Sequence, residues 1–353
     1  MSLLILLLTS AWADEPDPAS AEPEPAATAA PMAPDATAAP AEEGAAETPV
    51  PEPPAPELTL EEVWAQQDPA ELLTQAIAFQ DVGNRDAALA RLMVLDEHTP
   101  STAVTFQLGK TMELMEDYDG ALLRYEAVLD EGDSEYRHNA AFRRIIVLED
   151  TGRHAESLAA VRDLQDEGDW SESDAIILSL AQGISELSAG KTRKGVKRIE
   201  SGLAQLVNPN QSTWMRARAR AALVETMLTE AQELELRGNK KAARRLSQRS
   251  ALMVGAEQQV IAIAHLGEPE YALAGLQLLG DAYIMLHDDM LAAPAPRRLS
   301  DDEVVIYQAE VEGRVKILSA KAKNYYGEGV KLATRVGWEG ALTQTLAARH
   351  DAL

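Results

Sequence analysis

Few residues of this sequence have both the types and the spacing that chemistry requires. The segment Ser188–Thr192 ends like a phosphate-binding loop, but Ser185 stands where that motif needs its first glycine. No strand is predicted before it, and such a loop needs a strand–loop–helix context to direct its backbone amides at phosphates. We therefore interpret the segment as a helix that ends at Gly190, followed by the basic start of another helix.

The titratable side chains form no catalytic or metal-binding pattern. None of the six histidines is paired with another at ligand spacing, and the absence of cysteine excludes thiolate metal sites and cysteine nucleophiles. His287, Asp288 and Asp289 are a weak metal-binding candidate, and such a group is more typical of an exposed polar patch. Acid pairs such as Glu116–Asp117 are adjacent, whereas general acid–base catalysis needs convergent groups. We predict no catalytic residue, metal site, cofactor or small-molecule substrate.

The charges are distributed unevenly along the chain. The net charge is −25, and the first basic residue, Arg85, follows 16 acids. This acidity argues against nucleic acid as a partner, because phosphate contacts need a basic face. From Lys191 to Arg249, however, 14 bases outnumber 5 acids.

This basic middle of the chain has two interpretations. In the first, it docks an anionic protein, an anionic envelope polymer or the protein's own acidic arm. In the second, its charges are the solvated faces of several helices. The bases that define it are Lys191, Arg193, Lys194, Lys197, Arg198, Arg216, Arg220, Arg244 and Arg245.

The elements that position these residues are predicted to be helices throughout. From Leu58 onward the apolar residues recur at i, i+3 and i+4, and no stretch alternates for long as a strand would. Thr59 and Glu62 have the spacing of a capping box, which predicts a helix start. Four glycines stand where helix C-caps belong, at Gly83, Gly152, Gly190 and Gly238. The fold class is therefore all-α.

The first helices are internally similar. One unit consists of Leu72, Ala76, Phe79, Gly83, Ala88, Leu92, Leu95 and Pro100, and the corresponding small residues of the next two units are Ala121 and Ser157. These small residues are 33 and 36 positions apart, close to the roughly 34 of a tetratricopeptide repeat. The order of large, small and aromatic residues resembles that repeat. An array of helical hairpins without true repeats is the alternative.

The resemblance implies an α-solenoid whose stacked hairpins form a concave groove for a peptide or helix. Residues 58–168 would hold regular repeats, and residues 169–353 degenerate repeats with long C-terminal helices. Some tetratricopeptide domains hold a partner's carboxylate with Lys and Asn of the inner helices. The matching residues here are Lys110, Asn139 and Arg143, but the first unit offers none, which favours a more apolar or mixed groove. The segment from Pro294 to Trp338 is similar to the C-terminal part of cell-envelope tetratricopeptide proteins, some of which serve gliding or surface machinery.

The N-terminal 57 residues are predicted to lie outside this fold. Residues 1–13 consist of a short apolar run followed by a small-x-small ending, which is typical of a signal peptide. The Lys or Arg that usually precedes such an apolar run is missing after Met1. The run is shorter than the roughly 20 residues that a membrane span needs. A buried or interfacial hydrophobic tail is the alternative to a signal peptide. Residues 14–57 are rich in Pro, Ala and acids, which predicts a disordered linker that acts as a spacer or as a solubilising tail.

These observations predict an exported protein that is periplasmic or associated with the outer membrane. We expect a non-enzymatic scaffold that binds other envelope proteins in the groove of its solenoid. The alternative is a structural subunit of an envelope or surface-motility assembly, in which the solenoid serves as a spacer.

Overall fold

The computed structural model describes residues 58–131, 136–168, 170–206, 208, 212–236, 241–296 and 299–353. The predicted signal peptide and linker, residues 1–57, lie outside these residues, and so does the predicted C-cap Gly238.

Over these ranges the chain forms α-helices and no strand, which confirms the predicted all-α class. The helices are α1 (Leu60–Ala65), α2 (Pro69–Asp81), α3 (Arg85–His98), α4 (Thr102–Leu114), α5 (Tyr118–Asp130), α6 (Arg137–Asp150), α7 (His154–Glu167), α8 (Glu172–Ser188), α9 (Thr192–Gln205), α10 (Thr213–Glu233), α11 (Ala242–Ala264), α12 (Pro269–Leu291), α13 (Asp301–Val336) and α14 (Ala341–Asp351). Among the described helices, none is both long and apolar enough to cross a membrane.

Consecutive helices pack as hairpins. The pairs are α2–α3, α4–α5, α6–α7, α8–α9, α10–α11 and α12–α13, with α14 added against α13. Neighbouring hairpins also meet through their first helices, since α6 contacts α8, α8 contacts α10 and α10 contacts α12. The three small residues that gave the sequence repeat its length, Ala88, Ala121 and Ser157, are fully buried at 0% exposure. The repeat seen in the sequence is thus a repeat of core positions.

Residues in the left-handed backbone region end the first helix of four hairpins. Gly83, Gly152 and Gly190 have φ near +74°, which confirms three of the predicted C-caps. Gly190 lies between the end of α8 and the start of α9. This is the helix end and helix start that the sequence predicted for Ser188–Thr192. The second hairpin departs from the pattern, because Glu116 occupies the equivalent turn with φ of 64°. A side chain in this region costs about 1–2 kcal/mol that glycine avoids.

Glycines inside helices allow the closest helix crossings. In the α8–α9 hairpin, a Cβ atom on Gly195 would lie 2.7 Å from the carbonyl oxygen of Gly183, and one on Gly183 would lie 2.7 Å from Ile199. In the α4–α5 hairpin, a Cβ on Gly109 would lie 2.7 Å from the ring of Tyr125. These contacts are with backbone or with fully buried side chains, so the neighbours have little freedom to move.

The α8–α9 crossing provides a stability test. We expect Gly195→Ala to lower the free energy of unfolding by about 1–3 kcal/mol through overpacking. Gly313→Ala is the matched control, because Gly313 also lies inside a helix but nothing lies within 4 Å of its Cβ position. That change should raise the free energy of unfolding by about 0.5–1 kcal/mol through helix propensity. Chemical denaturation in dilute solution measures both, and a stabilised Gly195→Ala variant would contradict the close crossing.

Candidate functional site

The last helices return to the turn of the first hairpin. The loop between α13 and α14 places Trp338, which is 7% exposed, against Gly83. A Cβ atom on Gly83 would lie 2.8 Å from the indole, so this contact requires glycine. The Glu339 N–H donates a hydrogen bond of 2.9 Å to the Val82 carbonyl oxygen. The turn of the α2–α3 hairpin and the α13–α14 loop are therefore in direct contact.

A cleft of about 740 Å³ lies beside this contact. The turns after α2 and α4 line one part of it, and the end of α6 and one residue of α10 line another. The start of α12, the α13–α14 loop and the start of α14 complete the lining. We call this site the turn cleft. Its polar residues come from segments up to about 250 positions apart, as the hydrogen bond from Asn84 to Glu339 illustrates with a separation of 255.

The arginines of the turn cleft are each held by a carboxylate. Arg85 Nη2 lies 3.1 Å from Glu270 Oε1, and this ion pair joins α3 to α12. Arg218 Nη2 of α10 lies 2.7 Å from Asp150 Oδ1 at the end of α6. Because both guanidinium groups are neutralised within the chain, they add little net positive charge to the cleft.

Glu113, a further acid of the cleft wall, is neutralised from behind. Its Oε1 lies 3.0 Å from Arg143 Nη1, and both side chains are about nine-tenths buried. The Tyr125 hydroxyl also donates to Glu113, and the guanidinium of Arg143 stacks 4.4 Å from the Trp214 ring centroid. The Arg143 side chain is therefore buried behind the cleft and already bonded to Glu113.

Three further carboxylates of the turn cleft have no such counter-charge. Asp86 and Glu116 are exposed and make no ion pair with the residues that the structure describes. Among the described residues, the Glu339 carboxylate accepts a single long hydrogen bond, 3.4 Å, from Asn84 Nδ2. Tyr118, Tyr271, Trp338 and Met115 supply aromatic and apolar lining. Unpaired carboxylates beside aromatic rings suit a cationic ligand such as a lysine or arginine side chain.

Glu270 is the acid whose titration is most altered. Burial raises its pKa from 4.5 to about 7, the nearby Glu113 charge adds to the rise, and the attraction of Arg85 offsets only part of it. Burial likewise raises the pKa of the Tyr271 hydroxyl next to it well above its ordinary range. The start of α12 is thus an environment in which negative charge is unfavourable unless a cation is close by.

The residues predicted to bind a partner occupy different environments. Lys110 of α4 lies 4.0 Å from Asp81, and desolvation followed by the charge of Arg143 lowers its pKa. Lys110 and Arg143 therefore lie close together behind the turn cleft. Asn139, one turn before Arg143 in α6, is exposed, and its side chain makes no hydrogen bond or ion pair with Lys110 or Arg143 among the described residues. The structure thus brings two of the three together.

The predicted basic patch divides into two sets. Lys194 and Arg198 both bind Glu186, which is 2% exposed, at 2.8 and 3.0 Å. The others with internal partners are Arg216, Arg220 and Arg245, which donate to the Asn208 carbonyl oxygen, to Gln259 Oε1 and to the Glu235 carbonyl oxygen. Lys191, Arg193, Lys197 and Arg244 are exposed and have no ion pair in the described part of the chain. Five of the nine bases thus stabilise the fold.

Sequence reasoning missed most of the turn cleft. Arg85 and Glu270 carry no motif, and Trp338 appeared in the sequence only as the end of the C-terminal segment. Only the tertiary structure brings the three together. Glu116 had a usable signal, because it occupies the turn position at which the neighbouring units have glycine. Asp86 had none.

The division of the basic patch predicts unequal effects of removing two of its arginines. Arg198→Met should lower the free energy of unfolding by about 2 kcal/mol, because it removes one partner of a buried carboxylate, and less than the usual 3–5 kcal/mol because Lys194 remains. Arg193→Met, on the same helix, should change the free energy of unfolding by less than about 0.5 kcal/mol. Urea denaturation of both variants measures this, and equal losses would contradict the division.

The raised pKa of Glu270 predicts a pH effect on stability. A carboxyl with a higher pKa in the native state than in the unfolded chain binds protons more tightly when folded, so it disfavours folding progressively as pH rises from 4.5 to about 7. Glu270→Gln can still accept from Arg85 but does not titrate. We expect the melting temperature of this variant to rise relative to the parent between pH 5 and pH 8. Parallel melting profiles over that range would show that Glu270 keeps an ordinary pKa.

Comparison with known proteins does not identify the chain. No protein-family model matches it, and no curated protein matches its sequence.

Proposed function

We propose that this protein is a non-enzymatic scaffold that binds a basic segment of a partner protein in the turn cleft. The observation that carries the proposal concerns Glu116. Its backbone lies in the left-handed region, at the turn position where the neighbouring hairpins have glycine. A conformation that costs stability is retained where the surroundings or the function require it. Glu116 points to function because its carboxylate is unpaired in the described residues and lines the cleft.

The charge balance of the cleft supports a basic ligand. Two guanidinium groups and six carboxylates line it, and the guanidinium groups are already paired. A lysine or arginine side chain entering the cleft would meet Asp86 and Glu116 at the exposed side and the rings of Tyr118 and Tyr271 on the walls. The volume of about 740 Å³ falls in the range of known ligand pockets, about 300–1,000 Å³.

The helical architecture is compatible with a tetratricopeptide-like solenoid. Its support is that hairpins pack in sequence and touch through their first helices. In this proposal the turn cleft takes the role that the sequence assigned to a concave groove, and recognition depends on a few anchors. A location in the bacterial envelope, after export, is part of the proposal and rests on the sequence pattern of residues 1–13.

The proposal predicts selective binding of a basic peptide. We expect a fluorescein-labelled peptide of alternating lysine and alanine to bind the full chain, and the matched glutamate–alanine peptide not to bind. Removing two carboxylates with Asp86→Asn and Glu116→Gly should weaken binding by at least about tenfold. Glu116→Gly alone should weaken binding while raising the melting temperature, because it relieves the backbone conformation. Fluorescence anisotropy and thermal unfolding measure the two effects.

Glu230→Gln with Glu233→Gln is the matched control. Both glutamates are exposed on α10, outside the lining of the turn cleft, and their removal changes the net charge by the same amount. This control should bind the lysine–alanine peptide within about twofold of the parent. Equal weakening by the two double variants would show that the peptide responds to overall charge, and the cleft would lose its role.

A test in cells addresses the partner and the location. A photo-cross-linking residue at Met115, on the rim of the turn cleft, should capture one envelope protein through a lysine- or arginine-rich segment. The same residue at Leu123, which is 68% exposed on α5, should not capture that protein. Recovery of the protein within a stoichiometric multi-subunit complex would favour the structural-subunit alternative. Cross-links confined to the chain itself, in cytoplasmic protein, would contradict both the partner and the envelope location.

A further inference from the structure

Helix α13 carries a row of exposed apolar residues on its outer side. Ile306 is 68% exposed, Ile317 is 55% exposed and Val305 beside them is 66% exposed. Ala309, Gly313 and Ala320 are also exposed and continue the row at spacings of three and four residues. We call the set Ile306, Ala309, Gly313, Ile317 and Ala320 the outer stripe. A continuous apolar stripe on a solvent-facing helix is typical of a helix–helix contact.

The outer stripe is on the opposite side of α13 from the rest of the protein. The buried residues Val315, Leu318 and Ala322 lie about half a turn away from the stripe, and α13 packs against α12. In the α12–α13 hairpin, Asp281 bonds to Tyr326 and Tyr283 stacks on Tyr325, so the end of α12 reaches only to about the level of Ile317. About the first four turns of α13 extend past α12. A second helix can therefore reach the stripe without meeting the body of the protein.

The stripe is complementary to itself in the antiparallel orientation. With a two-fold axis at Gly313, Ile306 of one copy faces Ala320 of the other, and Ala309 faces Ile317. Each large side chain thus meets a small one, and the two glycines meet at the centre, where the helices approach most closely. A parallel pair in register would instead place Ile306 on Ile306 and Ile317 on Ile317. These pairs of large side chains would keep the helices apart and leave a gap at Gly313.

The charges beside the stripe are also complementary. On one flank Glu310 of one copy faces Arg314 of the other, and within one chain these two side chains already form an ion pair of 2.8 Å. On the other flank Glu312 faces Lys316. Glu312 and Lys316 are exposed, and neither has an ion pair among the described residues. Because the axis is two-fold, each of these pairs occurs twice, as expected of an isologous interface.

We propose that the outer stripe of α13 binds the same stripe of a second copy of this chain, forming an antiparallel helix pair. The stripe runs for about 21 Å along the helix, from Ile306 to Ala320. One such helix pair buries less than the about 1,600 Å² of a standard interface, so the dimer dissociates on dilution. The stripe shares no residue with the turn cleft, so the dimer does not depend on the proposed peptide binding.

Sedimentation velocity over a range of concentrations tests the proposal with the full chain. The parent protein should shift from monomer at about 1 µM to dimer above about 100 µM. Ile306→Glu with Ile317→Glu should remain monomeric throughout and keep the parent circular dichroism, since both residues are exposed. Leu123→Glu, at an equally exposed residue of α5, should dimerise like the parent. A monomeric parent, or a dimer that survives the double glutamate change, would overturn the proposal.

The absence of cysteine from the chain allows the orientation to be measured directly. Mixing an Ile306→Cys variant with an Ala320→Cys variant under mild oxidation should give mixed disulfide dimers at least about tenfold faster than Ile306→Cys alone. Gly313→Cys alone should also form a disulfide dimer rapidly. Preferred linkage of Ile306→Cys with itself would indicate a parallel pair and overturn the antiparallel arrangement. The stripe occupied by a different protein in the cell, with no self-association of the purified chain, would overturn the choice of a second copy.

Discussion

The contact between Trp338 and Gly83 is the constraint on which the candidate site depends. It joins the loop after the longest helix to the first hairpin turn, and it exists because Gly83 has neither a side chain nor a conformational penalty at φ of 74°. Burying an indole on a glycine turn contributes several kcal/mol of apolar stabilisation. Without it, the two walls of the turn cleft would be joined mainly by the ion pair of Arg85 and Glu270. The cleft is therefore a consequence of how the ends of the helical array meet.

Electrostatics then determine what the cleft can hold. The arginines near it are each paired with a carboxylate, so their positive charge is neutralised within the fold. Asp86 and Glu116 are exposed and make no ion pair among the described residues. Glu270 shows the balance most clearly, because burial outweighs the attraction of Arg85 and raises its pKa to about 7. A cationic ligand would reverse that imbalance by placing positive charge beside the acids. The cleft therefore favours a basic partner over an acidic one.

Much of the fold could be predicted from the sequence, because helices are local structures with local signals. The apolar spacing, the turn glycines and the small residues at Ala88, Ala121 and Ser157 all correspond to helices, caps and buried crossings. The turn cleft could not be predicted, since Arg85 and Glu270 are 185 positions apart and neither belongs to a motif. The basic middle of the chain shows the same limit. Linear charge density does not reveal that Lys194 and Arg198 converge on the buried Glu186.

Hydrogen–deuterium exchange of the full chain, with and without the lysine–alanine peptide, would show whether the peptide binds in the turn cleft. We expect the peptide to slow exchange in the turns at residues 83–86 and 113–118, at the start of α12 and in the loop at residues 338–342. Exchange in α9, which carries exposed bases, should be unchanged. Slowed exchange outside these segments, or none anywhere at saturating peptide, would contradict the assignment of the turn cleft as the binding site.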